Sequence, residues 1–192
     1  QTEKIGSTPV HFNAWSKEKL GVCTPQTVSS GADNYTLPAV YQMIDNSSAC
    51  GIYKASTSNS DEYFLFENRS AGGYDEGLNY LIYESNSSEV AGTDFTGGLA
   101  VWHVKDILSS CLDQNNCVVL NPPLLDLEEA NDADLDKASS NGRTTHLFYS
   151  GNSDTFDNNS TPNSNLYDDN TSDISLTNIS AAGDTMTLTI SK

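Results

Sequence analysis

The cleanest alternation of polar and apolar residues is at the C-terminal end, in GDTMTLTISK. Met186, Leu188 and Ile190 alternate with Thr185, Thr187 and Thr189, which predicts a half-buried antiparallel strand. DISLTNIS precedes it, and AAGD supplies the turn of a C-terminal β-hairpin. Upstream, TLPAVYQMI, CGIYKAS, DEYFLFEN and LNYLIYE are short apolar or aromatic runs separated by the polar clusters SSGADN, STSNSD and RSAGGYDEG. That spacing predicts an antiparallel sheet rather than helices between parallel strands. YFLF is apolar on both faces, so its strand is expected to be central and buried. GGLAVWHV predicts a strand ending near Val104, with a helical turn over KDILSSC. Pro122 and Pro123 keep the following apolar runs off a central strand.

One stretch has helical signals. In TPVHFNAWSKEKLGV, Thr8 can cap, Pro9 takes the first helical position, Lys17 and Lys19 fall in the last turn, and Gly21 stops the helix. The expected helix runs over 9–20. The expected organisation is an N-terminal helical segment over 1–22 followed by an antiparallel, sandwich-like β domain over 23–192 with long acidic loops. From Asn131 to Asp173 the chain is mostly Asn, Asp, Ser, Thr and Gly, with one strand expected at 144–149. A polar stretch of that length needs something to fasten it, and a bound metal is one candidate.

The 192 residues suit one domain with a sizeable core. Two tryptophans, nine tyrosines and six phenylalanines argue against disorder. A net charge of −17 repels phosphate backbones and anionic headgroups, so nucleic acid and membrane surfaces are poor partners. It could hold divalent cations, but a salt-tolerant secreted surface is the simpler explanation. There is no run of eighteen apolar residues. Gln1 follows no methionine, which reads as a processed or truncated start.

The four cysteines allow three pairings. The short loop CLDQNNC favours Cys111–Cys117, which leaves Cys23–Cys50, and oxidised cysteines imply a secreted, extracellular setting. Sequons stand at Asn34, Asn46, Asn68, Asn86, Asn158, Asn159, Asn170 and Asn178.

His11, His103 and His146 form no H-E-x-x-H pair, and no G-x-S-x-G elbow or phosphate loop is present. His103, between Trp102 and Val104, reads as a core histidine with one hydrogen bond. No catalytic residue is assigned. The strongest constellation is DLEEANDADLDKASSNG, where Asp132, Asp134 and Asp136 alternate behind Glu128 and Glu129. Hard oxygen donors in a loop suit calcium, although Lys137 and Arg143 break the EF-hand pattern. Asp154 and Asp157 form a second calcium candidate. A solvated acidic loop is the competing reading of both.

Several stretches occur here in one order: HFNAWSKEKLGV, DEYFLFENRSAGGYDEGL, GGLAVWHV, LLDLEEAND, SGNSDTFDNNSTPNSNLY and ISLTNISAAGDTMTLTI. Together they resemble the region that follows the active site in secreted metallopeptidases of the immune inhibitor A (thuringilysin-like) family. The matching positions are Trp15, Ser16, Lys17, Leu20 and Gly21; Glu62, Tyr63, Leu65, Glu67, Asn68 and Arg69; Trp102, His103 and Val104; and Glu129, Ala130, Asn131, Asp154 and Pro162. The family's H-E-x-x-H helix has no counterpart in the sequence. LNYLIYESNSSEVAGTDF is inserted between Tyr74 and Gly97, and Lys105 stands where the family often has Asp. The resemblance therefore implies a secreted setting, a β-rich fold and a calcium loop, with zinc confined to a catalytic lobe outside this chain. It implies no peptidase residue here.

The first functional expectation is a non-catalytic C-terminal portion of such a protein, with the catalytic lobe as its partner. The alternatives are an extracellular structural module that self-associates, with the inserted segment near Tyr80, Ile82 and Tyr83 as the place to look, and a carbohydrate-binding β-sandwich.

Overall fold

The apolar run at 62–69 becomes the middle of the molecule. The computed structural model describes residues 9–43, 50–80, 82–83, 90–91, 95–106, 122–131, 135 and 142–192. In chain order the strands are β1 (Gln26–Thr27), β2 (Asp33–Pro38), β3 (Ile52–Ser56), β4 (Glu62–Arg69), β5 (Ile82–Tyr83), β6 (Val90–Ala91), β7 (Gly98–Lys105), β8 (Leu125–Leu127), β9 (Ser175–Thr177) and β10 (Thr185–Ser191). Helix α1 (Ala14–Lys19) precedes them, and 3-10 turns span Val40–Met43, Gly73–Tyr80 and Thr144–His146.

β4 is buried at every position because it is covered on both faces. It is the third strand of a five-stranded sheet ordered β1-β3-β4-β7-β8. A second sheet, ordered β2-β10-β9, packs over one face. The chain is mainly β and sandwich-like, as the pattern predicts. The ladders are antiparallel except β1–β3, which is parallel.

Period-two alternation decides which side chains meet. Phe64, Phe66, Leu99 and Val101 point from the large sheet toward Leu37, Met186, Leu188 and Ile190 of the small one. Phe156 sits between the layers, its ring edge-on to Phe64 at 5.6 Å and to Phe148 at 5.4 Å. Such edge-to-face contacts put the positive rim of one ring on the negative face of another. Asn68, fully buried, fastens the two layers at one corner by donating from Nδ2 to the carbonyls of Leu37 (3.0 Å) and Gly183 (2.9 Å). That sequon is therefore closed to modification in the folded chain, whereas Asn34, Asn158, Asn159, Asn170 and Asn178 are exposed.

Three expectations shift. The run at 36–44 is a strand only to Pro38 and then a 3-10 turn, because Ala39 turns away to pair with Asn68. LNYLIYE is 3-10 through Tyr80, with a two-residue strand at 82–83. At 144–149 a 3-10 turn replaces the strand, and only Phe148 bridges to Leu99. The C-terminal strand keeps its predicted alternation, but it lies in the middle of its sheet, with β2 pairing along six residues and β9 along three.

Phe156→Ala removes a fully buried ring that both layers share, and it is expected to cost about 3–5 kcal/mol. The midpoint of urea unfolding, at unchanged slope, measures it.

Candidate docking face and its ionic anchor

The outer face of the large sheet, turned away from β10, is covered in part by α1. The helix is shorter than the sequence signals suggest. It starts at Ala14, and Asn13 is the cap, its Oδ1 accepting from Ser16 N at 2.8 Å. Residues 9–12 stay outside the helix because their backbone is engaged elsewhere: His11 N donates to Asp75 Oδ1 (3.0 Å), and its carbonyl accepts from Arg69 Nη2 (3.2 Å). The far end follows the predicted stop. Gly21 has φ +69°, and the amides of Gly21 and Val22 donate back to the carbonyls of Glu18 and Lys17. This closure needs a residue at ease in the left-handed region.

What holds the helix down is largely ionic. Glu67 is fully buried on β4. Its Oε1 accepts from Trp102 Nε1 (3.0 Å), Arg69 Nη1 (3.2 Å) and the Ala14 amide (3.2 Å), and its Oε2 accepts from Lys17 Nζ (3.0 Å). Arg69 grips the buried Asp75 with two donors, Nε to Oδ2 at 2.7 Å and Nη2 to Oδ1 at 2.6 Å. Two carboxylates thus meet two cations with the carboxylate oxygens occupied, the condition under which a buried ion network is tolerated. Burial alone would push the Glu67 carboxyl up, but Arg69, Lys17 and Trp102 outweigh it and hold it below the ordinary range. Arg69 loses solvation too, and Glu67 and Asp75 more than compensate, so its pKa is raised. At the rim, Lys54 bonds Glu18 (2.8 Å) and Lys19 bonds Asp106 (2.6 Å). The Cys23–Cys50 disulfide, as expected from the spacing, ties the segment after α1 to the start of β3.

Apolar contact supplies the rest. Ala14 is buried and Trp15 leans on a cluster of Ile52, Tyr63, Leu65 and Val104. The opposite side of the segment is bare: Phe12, Leu20 and Val22 are 64%, 62% and 62% exposed, and Val10 is 42% exposed. Tyr74, 56% exposed, joins them through an edge contact between its ring and His11 at 5.3 Å. Among the described residues these are the exposed large apolar side chains, and all of them lie on or against 10–22.

A second buried polar cluster fastens the other end of β4. His103 is 2% exposed, with Nε2 3.0 Å from Glu62 Oε1 and Nδ1 3.0 Å from Glu128 Oε1. It is a core histidine as expected, but with two carboxylate partners instead of one hydrogen bond. Its ring is stacked between Phe64 and Tyr167, both at 4.2 Å. Glu62 also accepts from Lys105 Nζ (2.7 Å) and the Tyr167 amide (2.7 Å). Burial pushes the Glu62 carboxyl up, and Lys105, the Tyr167 amide and His103 together bring it below its ordinary value. Tyr167 belongs to the long polar stretch, so this stack and its amide bond are one fastening of that stretch to the sheet. Ser164, fully buried, ties the stretch to the residue before β9, donating from Oγ to the Ile174 carbonyl at 2.7 Å.

Of the predicted metal candidates, Asp132, Asp134 and Asp136 lie outside the described residues, as do Cys111 and Cys117. Asp157 turns its Oδ1 onto the amides of Asn159 (2.7 Å) and Ser160 (2.9 Å), and Asp154 Oδ1 accepts from Thr155 Oγ1 (3.3 Å). Among the described residues there is no group of three or more His, Cys, Asp or Glu placed to hold a metal ion. The Glu67–Arg69–Asp75 network was not predicted as a site. Its signal was the pair of charged residues two apart, Glu67 and Arg69, at the end of the YFLF strand, which points them to one face.

Glu67→Gln leaves Arg69 and Lys17 underpaired and is expected to destabilise the fold by about 3–5 kcal/mol in urea titration. Stability is also expected to fall on acidification. His11 is held below its ordinary 6.5 by burial, and His146 likewise by burial and then by Arg143. The unfolded chain therefore gains protons first as pH drops through about 6.5. Glu62 and Glu67, held below the ordinary 4.5, contribute stability above that value and lose it as pH falls through their lowered folded pKa values. Melting temperature against pH from 7 to 3 measures both steps (roughly the span of these pKa values).

Proposed function

No protein-family model matches this chain, and no curated protein matches it.

We propose that the chain is a non-catalytic, extracellular β module that docks through its 10–22 face onto a catalytic lobe, in the manner of the post-active-site region of a secreted metallopeptidase-like protein. The observation that carries this reading is the distribution of exposed apolar side chains: Val10, Phe12, Leu20, Val22 and Tyr74 are gathered on one segment while the remaining surface is strongly acidic. Exposed apolar side chains gathered on one segment of so polar a chain mark an interaction site. The segment is also preorganised, since Glu67, Asp75 and the Cys23–Cys50 bond hold it to the sheet before any partner arrives. Docking then costs little ordering entropy.

Self-association by strand addition is less well supported. The edges of the large sheet are two and three residues long, and the longer β2 edge carries Asp33 and Pro38. Short, charged or proline-bearing edges discourage pairing with another chain.

On this reading the isolated chain with added zinc leaves casein intact; robust zinc-dependent cleavage would sink it. Where the parent gene encodes an H-E-x-x-H lobe, that lobe expressed separately should bind the chain in trans. The double substitution Phe12→Ser, Leu20→Ser is expected to weaken that binding by about 2 kcal/mol or more, as truncated interface anchors do. Titration calorimetry reads the loss, and unchanged affinity would remove the face from the interface.

A further inference from the structure

α1 covers only part of the outer face of the large sheet. Beside it, over the middle of β7, the face opens into a cavity of about 160 Å³. Its floor is Ala100 and Trp102 of β7 with Leu127 of β8 opposite, and Phe95 and Leu147 wall it. The small side chain of Ala100 leaves the depth. The wall stands close because Gly98 lets it: a Cβ there would sit 2.6 Å from Leu147 Cβ. Leu99 and Phe148 exchange backbone bonds at 2.9 and 3.0 Å, which fixes that wall to β7.

The lining is mostly apolar, and its polar members are Arg69, already engaged by Glu67 and Asp75, and the group Arg143, Thr144 and His146. Lys17, Lys19, Lys54, Arg69 and Lys105 are each spent on a carboxylate, whereas Arg143 has no ion-pair partner among the described residues and is exposed. His146, 5% exposed, accepts the Arg143 amide on Nδ1 at 3.0 Å, so its ring is neutral and carries its proton on Nε2. Burial and the neighbouring guanidinium both favour that neutral form. An apolar pocket with donors gathered on one side fixes the orientation of a ligand that is apolar at one end and an acceptor at the other.

We propose that this cavity is a binding site for a small aromatic carboxylate, with the ring over Ala100 and Trp102 and the carboxylate held by the Arg143 guanidinium and His146 Nε2–H. The volume sets the apolar part: a dry cavity of about 150 Å³ accepts one benzene ring. The charge sets the other end. A guanidinium with no ion-pair partner among the described residues is the local exception in a chain of net charge −17, and its planar fork matches a carboxylate. The site is independent of the docking face, since it uses none of Val10, Phe12, Leu20, Val22 or Tyr74.

The test is titration of the full chain with phenylacetate and with phenylacetamide, which has the same ring and no charge. Binding is followed by calorimetry and by the Trp102 indole N–H and His146 ring proton signals. Phenylacetate is expected to bind at about millimolar strength, as suits a ligand of its size. The amide should bind about tenfold or more weaker, and Arg143→Gln should remove most of that difference while Arg143→Lys retains part of it. N-acetyl-glycyl-phenylalanine distinguishes the source: tighter binding than phenylacetate assigns the site to a peptide C-terminus, and weaker binding to a free acid. Equal affinity for acid and amide, an Arg143→Gln chain that binds phenylacetate unchanged, or no shift at Trp102 would each overturn the proposal.

Discussion

The carboxylate of Glu67 is the point on which the arrangement of this molecule depends. It lies fully buried in the central strand, where an unpaired charge would be expelled or neutralised. Four donors prevent that, and each comes from a different place: the α1 amide at Ala14, the Lys17 ammonium, the Arg69 guanidinium and the Trp102 indole. Satisfying one group therefore fixes the depth of α1, the rotamer of Lys17 and the plane of Trp102 together. Arg69 then passes the constraint to Asp75, and Asp75 to the His11 amide, which keeps residues 9–12 out of the helix. An apolar contact would hold the helix with comparable strength but with less geometric definition, because apolar packing has no preferred direction. The exposed face beyond α1 inherits its placement from this buried one.

The layered fold was legible because period-two alternation and burial are local signals. Met186, Leu188 and Ile190 face the core as their spacing predicts, and YFLF lies at the centre because it is apolar on both sides. The helix start was misread for a physical reason. Pro9 is a sound first helical residue by local rules, but Arg69 and Asp75, about sixty positions away, claim the backbone of His11. The strand expected at 144–149 failed in the same way, with Phe148 meeting Leu99 only at a single bridge. The candidate sites were less legible still. Glu67, Arg69 and Asp75 look like ordinary acids and bases until the register of β4 on β7 places Glu67 opposite Ala100, beside Trp102. The cavity over Ala100 and Trp102 has no sequence signature, since its walls come from stretches far apart in the chain.

The distribution of charge joins these features. The chain has nine Lys and Arg against 26 Asp and Glu. Five of the nine, Lys17, Lys19, Lys54, Arg69 and Lys105, are spent on carboxylates at α1 and the two central strands it covers or their neighbours. Lys17 and Arg69 are used at the buried Glu67, where pairing is required, and the other three pair nearer the rim, which lowers the positive charge free at the surface. What remains outside is a field that repels other acidic surfaces, including a second copy of this chain.

Such a surface leaves two kinds of place where another molecule gains by contact. One is apolar, because burying it releases water without bringing acid against acid. The other is a cation without an ion-pair partner among the described residues, beside a hollow. The 10–22 face is the first kind and the Arg143 cavity the second, and they share the outer side of one sheet because α1 is too short to cover all of it. A helix of six residues shields Ile52, Tyr63, Leu65 and Val104 and reaches Trp102, while the hollow over Ala100, Trp102 and Leu127 opens beside it. The early capping of α1 at Asn13 and its stop at Gly21 therefore do more than bound a helix. They determine how much of the central sheet the protein keeps for itself and how much it offers to something else.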